Sequence, residues 1–121
     1  MRTAMGAPMA AAVLALMLTT AAGAQRPAKS VNPASEKLEK LSPPERAAVL
    51  ARAVRHWCIG TETFLMGVVT EGRAAGNAYW SLRCADGSAW AIQIDPLAAL
   101  TAVDCDVFKA NGAGKECFKK F

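Results

Sequence analysis

His56, the chain's one histidine, stands two residues before Cys58. An imidazole that can reach a thiol is the pairing most able to make an activated nucleophile. Such a thiolate could run thiol-dependent redox or hydrolytic chemistry, provided the cysteine is reduced and reachable. The spacing works against it. Successive helical residues point about 100° apart, so residues 56 and 58 of one helix diverge by roughly 200°. A histidine near a helix end has a simpler reason, because a cation there meets the negative end of the helix dipole. Among the carboxylates, Asp104 and Asp106 flank Cys105 and would share a face if a strand runs through them. That could mimic a carboxylate pair or a weak calcium contact. A calcium loop needs more oxygen ligands than this segment supplies, which leaves a solvated edge. Asp86 and Asp95 fall where turns are expected, before Gly87 and Pro96. The sequence holds no Gly-x-Ser-x-Gly elbow, no phosphate-cradling glycine loop and no histidine-rich metal pattern. The expectation is a protein without catalytic residues, metal or cofactor.

The four cysteines, Cys58, Cys84, Cys105 and Cys117, include no Cys-x-x-Cys pair. That spacing counts against a zinc knuckle, a thioredoxin-type redox pair and an attached c-type haem. An even count in a small exported domain reads instead as two disulfides. Export is written at the amino terminus. Arg2, the apolar run 10–18, and the small residues Ala22 and Ala24 ahead of Gln25 form a secretory signal peptide over residues 1–24. Signal peptidase holds that segment extended in shallow pockets, which is why small side chains are needed there. A membrane-spanning reading is weaker, because Pro8, Gly23 and the Thr19-Thr20 pair interrupt the stretch. Cleavage near Ala24 places the mature chain in the periplasm or outside the cell, with no transmembrane span.

At 121 residues, the chain is too short for two domains, a TIM barrel or a doubly wound dinucleotide-binding sheet. Residues 25–41 read as a flexible leader, polar and broken by Pro27 and Pro33, with at most a turn or two of helix over 35–41. Residues 42–121 then form a single small domain. Ser42-Pro43-Pro44-Glu45 combines an N-cap serine, proline at the first helical position and a glutamate three residues on. It predicts a helix running to Trp57 or Cys58, with Gly60 at its left-handed end. The apolar stripe is Ala47, Leu50, Val54, Trp57 and Cys58. Strands are expected over 63–70, 77–84, 89–94 and 100–105. The fold class is therefore α+β: one amphipathic helix packed on a three- or four-stranded antiparallel meander.

Parity fixes the register of the central hairpin. Ala78, Trp80, Leu82 and Cys84 share one face of their strand, and Trp90, Ile92 and Ile94 share one face of the next. A two-residue turn at Asp86-Gly87 would split these sets. A three-residue turn, Ala85-Asp86-Gly87, pairs Leu82 with Trp90 and Trp80 with Ile92 and keeps the apolar residues together. It leaves Tyr79, Ser81 and Arg83 outside, opposite Gln93, Ala91 and Ala89. Cys84 ends the core face of its strand and Cys58 ends the helix stripe. Cys105 and Cys117 flank Asn111-Gly112-Ala113-Gly114, a segment able to fold back. Cys58–Cys84 with Cys105–Cys117 is the preferred pairing, and the two other connectivities remain open.

The charge excess sits at the carboxyl end, where Lys109, Lys115, Lys119 and Lys120 face only Glu116. On an exported protein the anionic partners on offer to such a tail are lipid headgroups or envelope polymers rather than nucleic acid, while a merely solvated tail is the favoured reading because short lysine clusters are common. Tyr79-Trp80-Ser81-Leu82-Arg83-Cys84-Ala85-Asp86-Gly87, with Gly112 to Phe118 (Gly-Ala-Gly-Lys-Glu-Cys-Phe), carries a resemblance. The chain resembles the small, uncharacterised exported proteins of proteobacteria that end in a Cys-Phe-Lys-Lys-type tail. The resemblance covers about the last half of the chain; it implies export and disulfides and brings no activity with it. The expected function is a non-catalytic envelope module, inhibitor-like in its rigidity, that binds a partner protein or an anionic surface polymer. Tyr79, Ser81, Arg83 and Gln93 are its candidate face. The alternative is a thiol enzyme using Cys58 and His56.

Overall fold

The computed structural model describes residues 31–54, 57–111 and 114–121. The expected signal peptide, residues 25–30 of the leader, Arg55 with His56, and Gly112 with Ala113 lie outside the described residues. Among the described residues the order is α1 (Pro33–Glu39), α2 (Pro43–Ala51), β1 (Gly60–Val68), β2 (Ala78–Cys84), β3 (Ala89–Ile94), β4 (Leu100–Asp104) and α3 (Cys105–Asn111). The strands form one antiparallel sheet in the order β1-β2-β3-β4. The fold is α+β, a meander with α2 against β1 and β2.

The start of α2 follows the capping box. Glu45 N–H donates to Ser42 Oγ, and the Glu45 carboxylate accepts from the Ser42 N–H at 3.2 Å and from its hydroxyl at 2.8 Å. Its end differs from expectation. The α-helix stops at Ala51, and the N–H groups of Arg52, Ala53 and Val54 donate to carbonyls three residues back. These tighter turns release the chain early enough for Cys58 to come within 5.2 Å (Cα–Cα) of Cys84. Gly60, expected to end the helix, opens β1 instead. Ala47, Leu50 and Val54 are buried as the stripe required, but Trp57 leaves it and stands 95% exposed.

The leader also ends sooner than expected. Asn32 caps α1 by accepting from Ser35 N–H at 3.0 Å, and its amide donates to the carbonyls of Gly76 and Ile94, both at 2.8 Å. This buried amide fixes α1 to the ends of β2 and β3. Ser35 in turn accepts from Trp80 Nε1 at 2.9 Å. Arg46 closes the far end of α1, donating to the carbonyls of Leu38, Glu39 and Leu41 while its guanidinium lies 5.5 Å from the Trp80 ring centre. The core on this face is Leu38, Ala47, Leu50, Val54, Ala78, Trp80, Leu82, Cys84, Ile92 and Ile94.

The β2–β3 register pairs Leu82 with Trp90 and Trp80 with Ile92, around the loop Ala85-Asp86-Gly87. Gly87 has φ 89°, the left-handed turn position, and Asp86 Oδ1 accepts from Ser88 N–H and hydroxyl. The β3–β4 loop, Pro96-Leu97-Ala98, repeats the design with a non-glycine residue: Ala98 has φ 74°. Both disulfides take the preferred pairing, Cys58–Cys84 and Cys105–Cys117. Asp104 and Asp106 do not line a common strand face. β4 ends at Asp104, whose carboxylate accepts from Asp106 N–H at 2.8 Å and so starts α3.

Candidate functional site

The candidate face of Tyr79, Ser81, Arg83 and Gln93 lies on one side of the sheet as parity required, but it is not open. Residues 105–111 and 114–121 fold back over it, tethered by Cys105–Cys117. Ser81 is fully buried and its Oγ accepts from Phe118 N–H at 2.8 Å. Tyr79 packs between Phe108 and Phe121, each 5.7 Å away by ring centres, and its hydroxyl donates to Gln93 Oε1 at 2.8 Å. Arg83 pairs with Glu62 at 3.1 Å and lies 4.6 Å from the Phe118 ring centre. Alternation alone could not find this cover, because the apolar positions that build it (Phe108, Phe118 and Phe121) are scattered through a lysine-rich segment. Gly67 does carry a trace of it. A Cβ there would come within 2.8 Å of the Phe121 ring, so β1 needs glycine where the last residue lies down.

The expected basic tail is part of this cover. Lys109 and Lys119 both pair with Glu116. Hydrogen bonds from Lys119 and then Lys109 hold the Glu116 carboxyl below the usual carboxylate range. Lys115 lies 5.2 Å from the Phe121 ring centre and Lys120 5.8 Å from that of Phe64. Their charges therefore line the outside of a folded lid. A cleft of about 550 Å³ remains between α3 and the β1–β2 loop, with Tyr79, Gln93, Phe108 and Lys115 in its walls.

Of the thiol pair, Cys58 is bonded to Cys84, and His56 lies outside the described residues. The described cysteines are all paired. Among the described residues no group of three or more His, Cys, Asp or Glu side chains could hold a metal, and no helix is long and apolar enough to cross a membrane.

One surface escaped the sequence reading. Trp57 is 95% and Ile59 73% exposed on either side of Cys58, in the segment that leads into β1. Ala85 N–H donates to Ile59 O at 2.8 Å, so the loop is pinned to the β2–β3 turn by a backbone bond as well as by the disulfide. Beside it lies a shallow depression of about 410 Å³ lined by Pro44, Ala48, Arg52 and Gly60. A large aromatic projecting into water from a braced loop has lost little of its burial potential and little further entropy on docking. The signal for it was the Trp-Cys-Ile order, hidden by assigning Trp57 to the helix stripe. No protein-family model, curated protein or solved structure matches the chain.

Proposed function

We propose that this chain is a non-catalytic binding module of the cell envelope, exported after cleavage near Ala24/Gln25, that docks a partner protein through Trp57 and Ile59. The observation that carries this reading is the exposed aromatic–aliphatic pair on a loop braced by Cys58–Cys84. Tryptophan is the residue most enriched among energetic hot spots of protein interfaces, and a braced loop keeps the ordering cost low. Two disulfides favour an oxidising compartment, in keeping with the likeness to small exported proteins. A thiol enzyme at Cys58 would first require that bridge to open. The second reading, an anionic envelope polymer held by Lys109, Lys115, Lys119 and Lys120, draws on the charge excess of the lid.

Cross-linking in envelope extract, comparing the native chain with Trp57→Ala and with a Lys115→Gln/Lys120→Gln double variant, separates the readings. Loss of one defined partner with Trp57→Ala alone, in a variant that keeps its melting temperature, supports protein docking. Loss with the lysine variant alone, restored at low salt, supports the polymer reading. A Trp57→Ala chain that retains every partner contradicts the proposal.

A further inference from the structure

The cleft between α3 and the β1–β2 loop holds polar groups that the fold leaves unused. Its floor is the sheet face on which Tyr79 pairs with Gln93, and to which Ala91 and Val103 also belong. Val107 and Phe108 of α3 form one wall, and Lys115 stands in another. The side-chain oxygen of Gln93 is taken, because it accepts from the Tyr79 hydroxyl at 2.8 Å. That bond fixes the amide and turns its two N–H groups away from Tyr79, where no acceptor among the described residues meets them. Half-buried donors without an acceptor are the groups that orient a ligand in an otherwise apolar site.

The charge balance is equally one-sided. Lys109 and Lys119 share Glu116. Lys115 is half-buried and has no carboxylate partner among the described residues; its ammonium rests on the Phe121 ring, 5.2 Å from the centre. The same ring meets that of Tyr79, so ammonium, phenol and Gln93 amide are linked through one run of contacts. Lys115 is the one charged residue in the lining of the cleft, which includes no carboxylate. An ammonium beside apolar walls draws a counter-ion more strongly than one in open water. The walls are also set in advance. Cys105 lies three residues before Phe108 and Cys117 two residues after Lys115, so their disulfide holds both sides in place before a ligand arrives.

We propose that this cleft binds a small amphipathic monocarboxylate. Its carboxylate is held by the Lys115 ammonium and the Gln93 amide, and its hydrocarbon body lies against Val69, Val103, Val107 and Phe108. One cation balances one negative charge. A phosphate monoester carries about two at neutral pH and would leave the site unbalanced. An alcohol or other uncharged amphiphile would leave the ammonium without its counter-ion. The volume of about 550 Å³ suits a ligand of this class. Neither Trp57 nor Ile59 lines the cleft, so this is a small-molecule site additional to the docking surface proposed above.

The probe is octanoate, whose chain is short enough to stay monomeric at millimolar concentration. It is titrated into the disulfide-bonded chain and followed by NMR shifts of backbone and side-chain amides. Saturable one-to-one binding is expected, with shifts at the Gln93 side-chain amide, Val103 and Phe108. Octanol should bind about tenfold or more weakly, and acetate, which lacks the hydrocarbon body, should not saturate. Lys115→Gln should lower octanoate affinity about tenfold and leave octanol affinity unchanged, which separates a lost charge from a collapsed cleft. Octanoate that fails to saturate at millimolar concentration overturns the inference. So does octanol or acetate binding as tightly as octanoate, or a Lys115→Gln chain with undiminished octanoate affinity. Shifts confined to Leu38, Leu41 and Leu97, around the apolar groove beside α1, overturn it as well. Should the variant fail to fold, the comparison of octanoate with octanol on the unmodified chain decides by itself.

Discussion

Trp80, Leu82, Ile92 and Ile94 on one face of the sheet and Ser81 and Ala91 on the other are equally shut off from water. What covers them is different in kind. The first face is closed by α1 and α2 with a continuous apolar core, braced by the buried Asn32 amide and the Arg46 clamp. The second is closed by a short segment held at one end by Cys105–Cys117, with ring contacts, cation–ring stacking and two backbone N–H bonds, from Phe118 to Ser81 and from Phe121 to Met66. Equal burial thus conceals unequal stability. Apolar volume resists opening in proportion to the area it removes from water, whereas a tethered segment opens once a few separate contacts are lost.

The largest effect should come from the helical face. Trp80→Ala removes the biggest fully buried side chain, and it also deprives the Ser35 hydroxyl of its donor and the Arg46 guanidinium of its ring. A loss of about 3–5 kcal/mol is expected in urea unfolding, enough to threaten folding of so small a domain. Phe121→Ala on the other face should cost only about 1–2 kcal/mol, because that ring is partly exposed and its contacts are Tyr79, Gly67 and Lys115. Equal costs at the two sites would erase the distinction between core and cover.

These sites also show what was legible in the residues. A face argument with a foldable glycine segment favoured the observed disulfide pairing over two open alternatives. The β2–β3 register and the start of α2 followed from alternation and a capping box, again local or single-parity signals. The lid did not, because three phenylalanines separated by lysines carry no period. The docking of α1 was missed although Asn32-Pro33 is an N-cap followed by proline at the first helical position. Its purpose lies in the bonds to Gly76 and Ile94, which no local pattern reports. Trp57 was misplaced because the helical period continues past Ala51 in the sequence while the chain leaves the helix to reach Cys84.

A smaller effect of opposite sign is expected between the two hairpin loops. Gly87 and Ala98 hold the same left-handed position, and only Ala98 carries a Cβ there. Ala98→Gly should stabilise the domain by about 0.5–1 kcal/mol, the relief of the left-handed strain less glycine's added freedom when unfolded, seen as a rise in melting temperature. A fall would mean that the loop holds Ala98 without strain.

The smallest effect is acid weakening of the lid. The folded-state pKa of Glu116 is depressed, so the unfolded chain binds the proton more readily. Its contribution is complete above the ordinary carboxylate range and is lost as pH falls through and below that range. Between about pH 6 and about pH 3 the Phe118 and Phe121 amides should lose more protection than those of Leu82 and Ile92. Glu116→Gln should flatten that difference.

Native-state hydrogen exchange at neutral pH, read at Phe118 and Phe121 against Leu82 and Ile92, tests the contrast between the faces most directly. Two tiers are expected: the lid amides open at a lower free energy with little denaturant dependence, and the strand amides open only with global unfolding. Selective reduction of Cys105–Cys117 should lower the first tier further and leave the second in place. A single tier, with all four amides tracking global unfolding, would contradict a separable cover and make both faces one cooperative core.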